Sequence, residues 1–92
     1  MSVDQVARGV EAICEKYELP VPEIRYSGRR WHRCMWAVDR LQFVRGEVSL
    51  RDLAHENAHY VRHKLHGCHR HNKELMTLIG ELIELLLELL EL

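Results

Sequence analysis

Apolar residues near the start of the chain recur at helical spacing: Val3, Val6, Val10, Ile13 and Tyr17 form one stripe, with Ala7 and Cys14 beside it. The spacing predicts a first helix, which Pro20 and Pro22 close. From Glu23 to Ser27 the pattern changes to alternation, with Ile24 and Tyr26 on one side, and Ser27-Gly28 supplies a turn; this reads as a strand. Trp31 to Val44, WHRCMWAVDRLQFV, is rich in aromatic and β-favouring residues, breaks near Asp39-Arg40 and is followed by Gly46. That is the pattern of two short strands in a hairpin. Ser49 caps a second helix and Asp52, three residues on, completes a capping box, so helix is expected from about Leu50 to Lys64. Its apolar side carries Leu50, Ala54, Ala58, Val61 and Leu65, flanked by Leu53. Gly67 interrupts the pattern, and Asn72 to Leu92 is again strongly helical.

These elements make an α+β chain: an N-terminal helix, a small three-stranded sheet, a histidine-bearing helix and a long C-terminal helix. At 92 residues it is expected to be one domain, 1–92. A chain of this size buries only about two thirds of its extended surface on folding, so a bound metal or a partner subunit would add needed stability. The formal charge of -1 excludes the cationic surface of a non-specific nucleic-acid binder. That near-neutral total hides segregation: seven arginines lie from Arg25 to Arg51, whereas five glutamates and no basic residue follow from Glu74 onward. Cys14, Cys34 and Cys68 form no CxxC pair and suit a reducing compartment. The opening MSVDQVARGVEAI lacks the apolar core of a signal peptide, and Glu81, Glu84, Glu88 and Glu91 interrupt the leucine-rich tail before it could span a bilayer. A cytoplasmic location, without membrane partners, is the expectation.

Six of the seven histidines fall between His55 and His71. His55-Glu56-Asn57-Ala58-His59 is an H-E-x-x-H motif within the second helix, and its four-residue step sets both imidazoles on one face, a turn apart. Such a match arises by chance roughly 0.06 times in a chain of this composition, so its place on a capped helix with Ala54 and Ala58 turned inward carries weight. Both imidazoles can reach one metal, and Glu56 stands where it can take a proton from a metal-bound water. A catalytic zinc needs a third protein ligand, and His63, His66, Cys68, His69, His71 and Glu74 are candidates. His63 lies two turns from His55, too far along a straight helix for easy convergence. The metzincin spacing fails, with Arg62 in place of glycine and Leu65 in place of histidine. Glu74 would instead complete a set of two histidines and a glutamate. Cys68 with His66 or His69 could fill the remaining positions and close the site. Tyr60 or His63 could donate to a transition-state oxyanion, although a helix-surface role is the simpler reading of both.

The segment resembles the small SprT-like and related mycobacterial or phage-type zinc metallopeptidases, in which a short HExxH helix is followed by a third histidine in an HGxxF/W-like element. His71-Asn72-Lys73-Glu74-Leu75 is similar to that element. Asn57, Asn72 and Leu75 stand where the family carries an apolar residue, a glycine and an aromatic. The resemblance implies zinc held by His55, His59 and His71, Leu75 as the packing residue, Glu56 as the catalytic base and a peptide or protein as substrate. The expected function is therefore a zinc-dependent metallopeptidase that hydrolyses a peptide bond through a Glu56-activated metal-bound water. The alternative is a non-enzymatic, metal-stabilised protein-interaction or DNA-associated regulatory domain with all four metal positions filled.

Two further features suggest partners. Arg25, Arg29, Arg30 and Arg33, with Trp31 and Trp36, could track phosphates and stack on bases, but the simpler reading is a small core around Trp36 and a solvated arginine face. The hairpin edge could pair with an extended peptide. In the last helix Leu75, Leu78, Leu82, Leu85, Leu89 and Leu92 form a stripe that Ile79, Ile83, Leu86, Leu87 and Leu90 widen. That width exceeds what one neighbour covers in so small a domain, which points to a homo-oligomer through this helix.

Overall fold

Helix α1 (Val3–Lys16) starts from Ser2, whose hydroxyl accepts from the Gln5 amide at 3.1 Å while its own amide donates to Gln5 Oε1 at 2.9 Å. This reciprocal box satisfies amides that a helix start leaves without partners. The computed structural model describes residues 1–28 and 31–90. Val6, Val10, Ile13 and Cys14 of the expected stripe are buried, but Val3 is exposed. Gly9 shares the buried face, and a Cβ there would stand 2.8 Å from Leu53 Cδ2 and 2.9 Å from Leu86 Cδ2. The absence of a side chain at position 9 lets α1 press against both other helices.

The sheet comprises β1 (Glu23–Ser27), β2 (Arg33–Met35) and β3 (Arg40–Val44) in the order β1-β3-β2. β3 is central and brings Leu41 and Phe43 into the core. β1 runs parallel to it, with Ile24 opposite Leu41 and Tyr26 opposite Phe43, while β2 pairs antiparallel, with Cys34 opposite Leu41. The expected hairpin is present. Its break comes earlier than Asp39-Arg40, at a short 3-10 turn over Trp36–Val38 that Asp39 ends in a left-handed conformation, φ 49°. The turn lifts Trp36 out of the core, so the expected packing of this ring is not found: it is 46% exposed. β2 is left as a three-residue edge strand.

Helix α2 (Leu50–His66) has the expected Ser49–Asp52 box, with Asp52 N to Ser49 Oγ at 3.1 Å and Ser49 N to Asp52 Oδ2 at 3.0 Å. It runs two residues past Lys64, because Gly67 at φ 61° closes it and donates its amide to His63 O at 2.9 Å. Burial along α2 stops at Val61, and Leu65, expected in the core, is 46% exposed. Asn57 is fully buried and donates to Leu53 O at 2.7 Å.

Helix α3 (Lys73–Leu90) starts from Asn72, whose side-chain oxygen accepts from the Leu75 amide at 3.0 Å. Its core stripe is Leu75, Ile79, Leu82, Leu86 and Leu90. The expected stripe through Leu78, Leu85 and Leu89 is displaced: the first two are half-buried and Leu89 is exposed, while Leu92 lies outside the described residues. Both sets of steps average close to the 3.6-residue turn of a straight helix, so period alone does not select between them, and contact with the other helices turns the face through Ile79, Leu86 and Leu90 inward. No helix among the described residues is long and apolar enough to cross a membrane.

Candidate metal centre

His55 and His59 lie one turn apart on α2, and their Nε2 atoms approach to 3.0 Å. The left-handed turn at Gly67 reverses the chain after α2, and the Asn72 cap and the buried Leu75 anchor the start of α3. His71, held between these two constraints, brings its Nε2 to 3.0 Å from that of His59. One ligand atom from each of the three residues lies within 4.8 Å of the others, the geometry of a divalent-metal site. Tetrahedral zinc with bonds of about 2.05 Å would separate such nitrogens by about 3.3 Å, and the two spacings from His59, each 3.0 Å, lie close to that value. Each neutral ring carries one N–H and one lone pair, and a cation at the centre would satisfy three converging lone pairs together.

The electrostatics favour that state. Burial, then the neighbouring His55 and His71, pushes His59 down to about 4, and burial with the nearby His71 and Arg51 also lowers His55. At neutral pH both rings are uncharged and ready to ligate. Glu56 is buried one position along, with Oε2 3.7 Å from His55 Nδ1. Burial and the Asp52 charge raise its carboxyl to about 7, opposed by a hydrogen bond from the Cys34 backbone.

Glu56 and the three imidazoles line a cavity of about 310 Å³, whose opposite wall is supplied by β2 and its flanks: His32, Arg33, Cys34 and Trp36. His32 Nδ1 accepts from the Val44 amide at 3.0 Å, so its Nε2 carries the proton directed at Asp52 Oδ2, 3.2 Å away. This residue ties the sheet to the first turn of α2. Sequence reasoning assigned it no role, since a single histidine remote from the cluster carries no spacing signal.

The other candidates are placed elsewhere. Cys68 Sγ accepts from Arg62 at 3.0 Å, and hydrogen bonds from Arg62 and the Arg70 backbone hold its thiol below the ordinary range. Among the described residues the converging group contains neither Cys68 nor His66 nor Glu74. His69 reaches the cavity rim but pairs with His63, Nε2 to Nδ1 at 2.7 Å. Tyr60 is fully buried and donates to Pro20 O at 2.7 Å, so its hydroxyl is not the oxyanion donor considered above. The arginine surface is divided: Arg25 and Arg40 both bind Glu23, at 2.6 and 2.8 Å, Arg33 joins the cavity wall, and Arg29 and Arg30 lie outside the described residues. Trp31 is 72% exposed.

The arrangement is that of a minimal zincin-like HExxH site with a third histidine, and it is consistent with a metalloenzyme. No protein-family model, curated protein or solved structure matches the chain.

Proposed function

We propose that this chain is a minimal zinc-dependent peptidase, a single domain in which His55, His59 and His71 hold the metal and Glu56 is the base. The observation that carries the reading is one cavity holding three converging Nε2 atoms and, as the only carboxylate of its wall among the described residues, Glu56. Zinc bound there would supply a Lewis acid for the scissile carbonyl and acidify water.

Glu56 removes a proton from the attacking water as the new C–O bond forms at the carbonyl carbon. When the C–N bond breaks it passes that proton to the leaving nitrogen, so the carboxylate is regenerated. A carboxyl poised at about 7 in the metal-free chain is suited to take and release a proton near neutrality. β2 is an edge strand on the cavity wall, so an extended peptide paired along it would bring its carbonyl to Glu56. The order of elements and the placing of His71 favour kinship with the SprT-like peptidases as part of this proposal. The exposed Leu87 and Leu89 of α3 support self-association, which the solution mass tests.

The decisive experiment compares zinc-loaded wild type with Glu56→Gln on a peptide library. Cleavage should fall by about 10²- to 10⁴-fold while zinc content is retained. Equal cleavage by both proteins rejects Glu56 as base, and a zinc-loaded wild type that cleaves nothing rejects the peptidase reading.

A further inference from the structure

Beside the three-imidazole group lies a second arrangement of ring nitrogens that the hydrolytic reading does not use. His63 is one turn beyond His59 on α2, about 6 Å further along the axis. Its Nδ1 stands 2.7 Å from His69 Nε2, similar to the 3.0 Å between the nitrogens of the first group. Trp36 backs both rings: it stacks on His69 with centroids 4.2 Å apart at 18°, and meets His63 at 5.2 Å. Of the nearby cations, Arg62 is engaged with Cys68 at 3.0 Å and Lys64 with Asp39 at 2.8 Å, while Arg33 lines the same cavity as His69.

We infer that His63 and His69 form a second, two-imidazole metal site at the cavity rim, suited to a borderline transition-metal cation and completed by solvent. Imidazole favours zinc, copper and nickel over calcium or magnesium, and two rings preset about a bond angle apart bind such an ion more tightly than either alone. Because His69 also lines the cavity, an ion there narrows the entrance to the first site. The inference stands on the His63–His69 pair and does not depend on the peptidase reading.

Trp36 is the built-in reporter. With Trp31→Phe it is the sole tryptophan of the chain, and a paramagnetic ion on the stacked His69 quenches it. The probe is Ni²⁺, titrated into this variant after loading with zinc, with released zinc measured alongside. The expected result is saturable quenching at about one Ni²⁺ per chain without zinc release, weakened at least about tenfold by His63→Ala, which leaves the Trp36–His69 stack in place. Quenching that never saturates, that is unchanged in His63→Ala, or that tracks zinc release overturns the proposal, and leaves a simple N–H···N hydrogen bond between the rings. A chain that takes up no zinc but shows His63-dependent quenching would reject the first site and keep the second.

Discussion

The backbone amide of Cys34 donates to the Glu56 carboxylate, joining edge strand β2 to helix α2 at the acidic group of the cavity wall. The same strand that would present a peptide therefore orients the proposed base. His32 reinforces the join from the other side through Asp52, so sheet and helix are held together at two points.

Removing one ligand should empty the metal centre while leaving the fold. His71 is exposed and sits outside the helices, so His71→Ala removes no core packing. Zinc retained after dialysis should drop from about one per chain to near zero, with helix content by circular dichroism nearly unchanged. Full zinc retention would remove His71 from the ligand set.

The join through His32 should matter for geometry more than for ligation. In His32→Phe the hydrogen bonds to Val44 and Asp52 are lost, so β2 loosens from α2. Zinc binding should persist and peptide cleavage should fall about 10- to 100-fold, the size of effect that supporting groups have on metal sites. Unaltered cleavage would show that the join is dispensable.

Two titrations should oppose each other in the metal-free protein. His59 is pushed down to about 4 from 6.5, so between those values the unfolded chain binds the proton and stability falls as the pH drops. Glu56 is raised to about 7 from 4.5; there the folded chain holds the proton, and its contribution is lost as the pH rises through 7. His55 is lowered in the same sense as His59, so Glu56 offsets part of the histidine slope in wild type between pH 4.5 and 6.5. Glu56→Gln should expose the histidine slope, gaining about 1 to 2 kcal/mol over that interval once screening of the half-exposed ring is allowed for. Urea unfolding at several pH values checks this, and parallel wild-type and variant profiles would contradict it.

Two glycine-to-alanine changes should have opposite signs. At Gly80 a Cβ meets nothing within 4 Å, and Gly80→Ala should stabilise the protein by about 1 kcal/mol through helix propensity. At Gly9 the same methyl would crowd Leu53 and Leu86 in the core, and overpacking of about 1 to 3 kcal/mol should outweigh the propensity gain. Chemical denaturation of the two variants measures both.

The elements and the Ser49 cap were legible because they are local. Ser49 and Asp52 bond across three residues, His55 and His59 share a face by helical period alone, and the three-helix, three-strand order follows from patterns that span no more than a turn or a strand. The third histidine was reached through the resemblance of the segment from His71 to Leu75, and the structure brings it beside His59. The stripe on α3 was misplaced because its leucines are so dense that several faces look apolar. Only contact with α1 and α2 chooses the one through Ile79 and Leu86.

By itself, then, the chain's sequence determined its helices and strands, the pairing of His55 with His59 and the presence of Glu56 beside them, since hydrogen bonds and side-chain spacing within one element settle each of these. Tertiary structure alone decided the strand order, the use of Tyr60 to hold Pro20, the engagement of Cys68 by Arg62, and the cavity wall of His32, Cys34 and Trp36. Those features join residues far apart in the chain, or choose among several partners within reach, and packing of β2 against α2 is what brings the wall together.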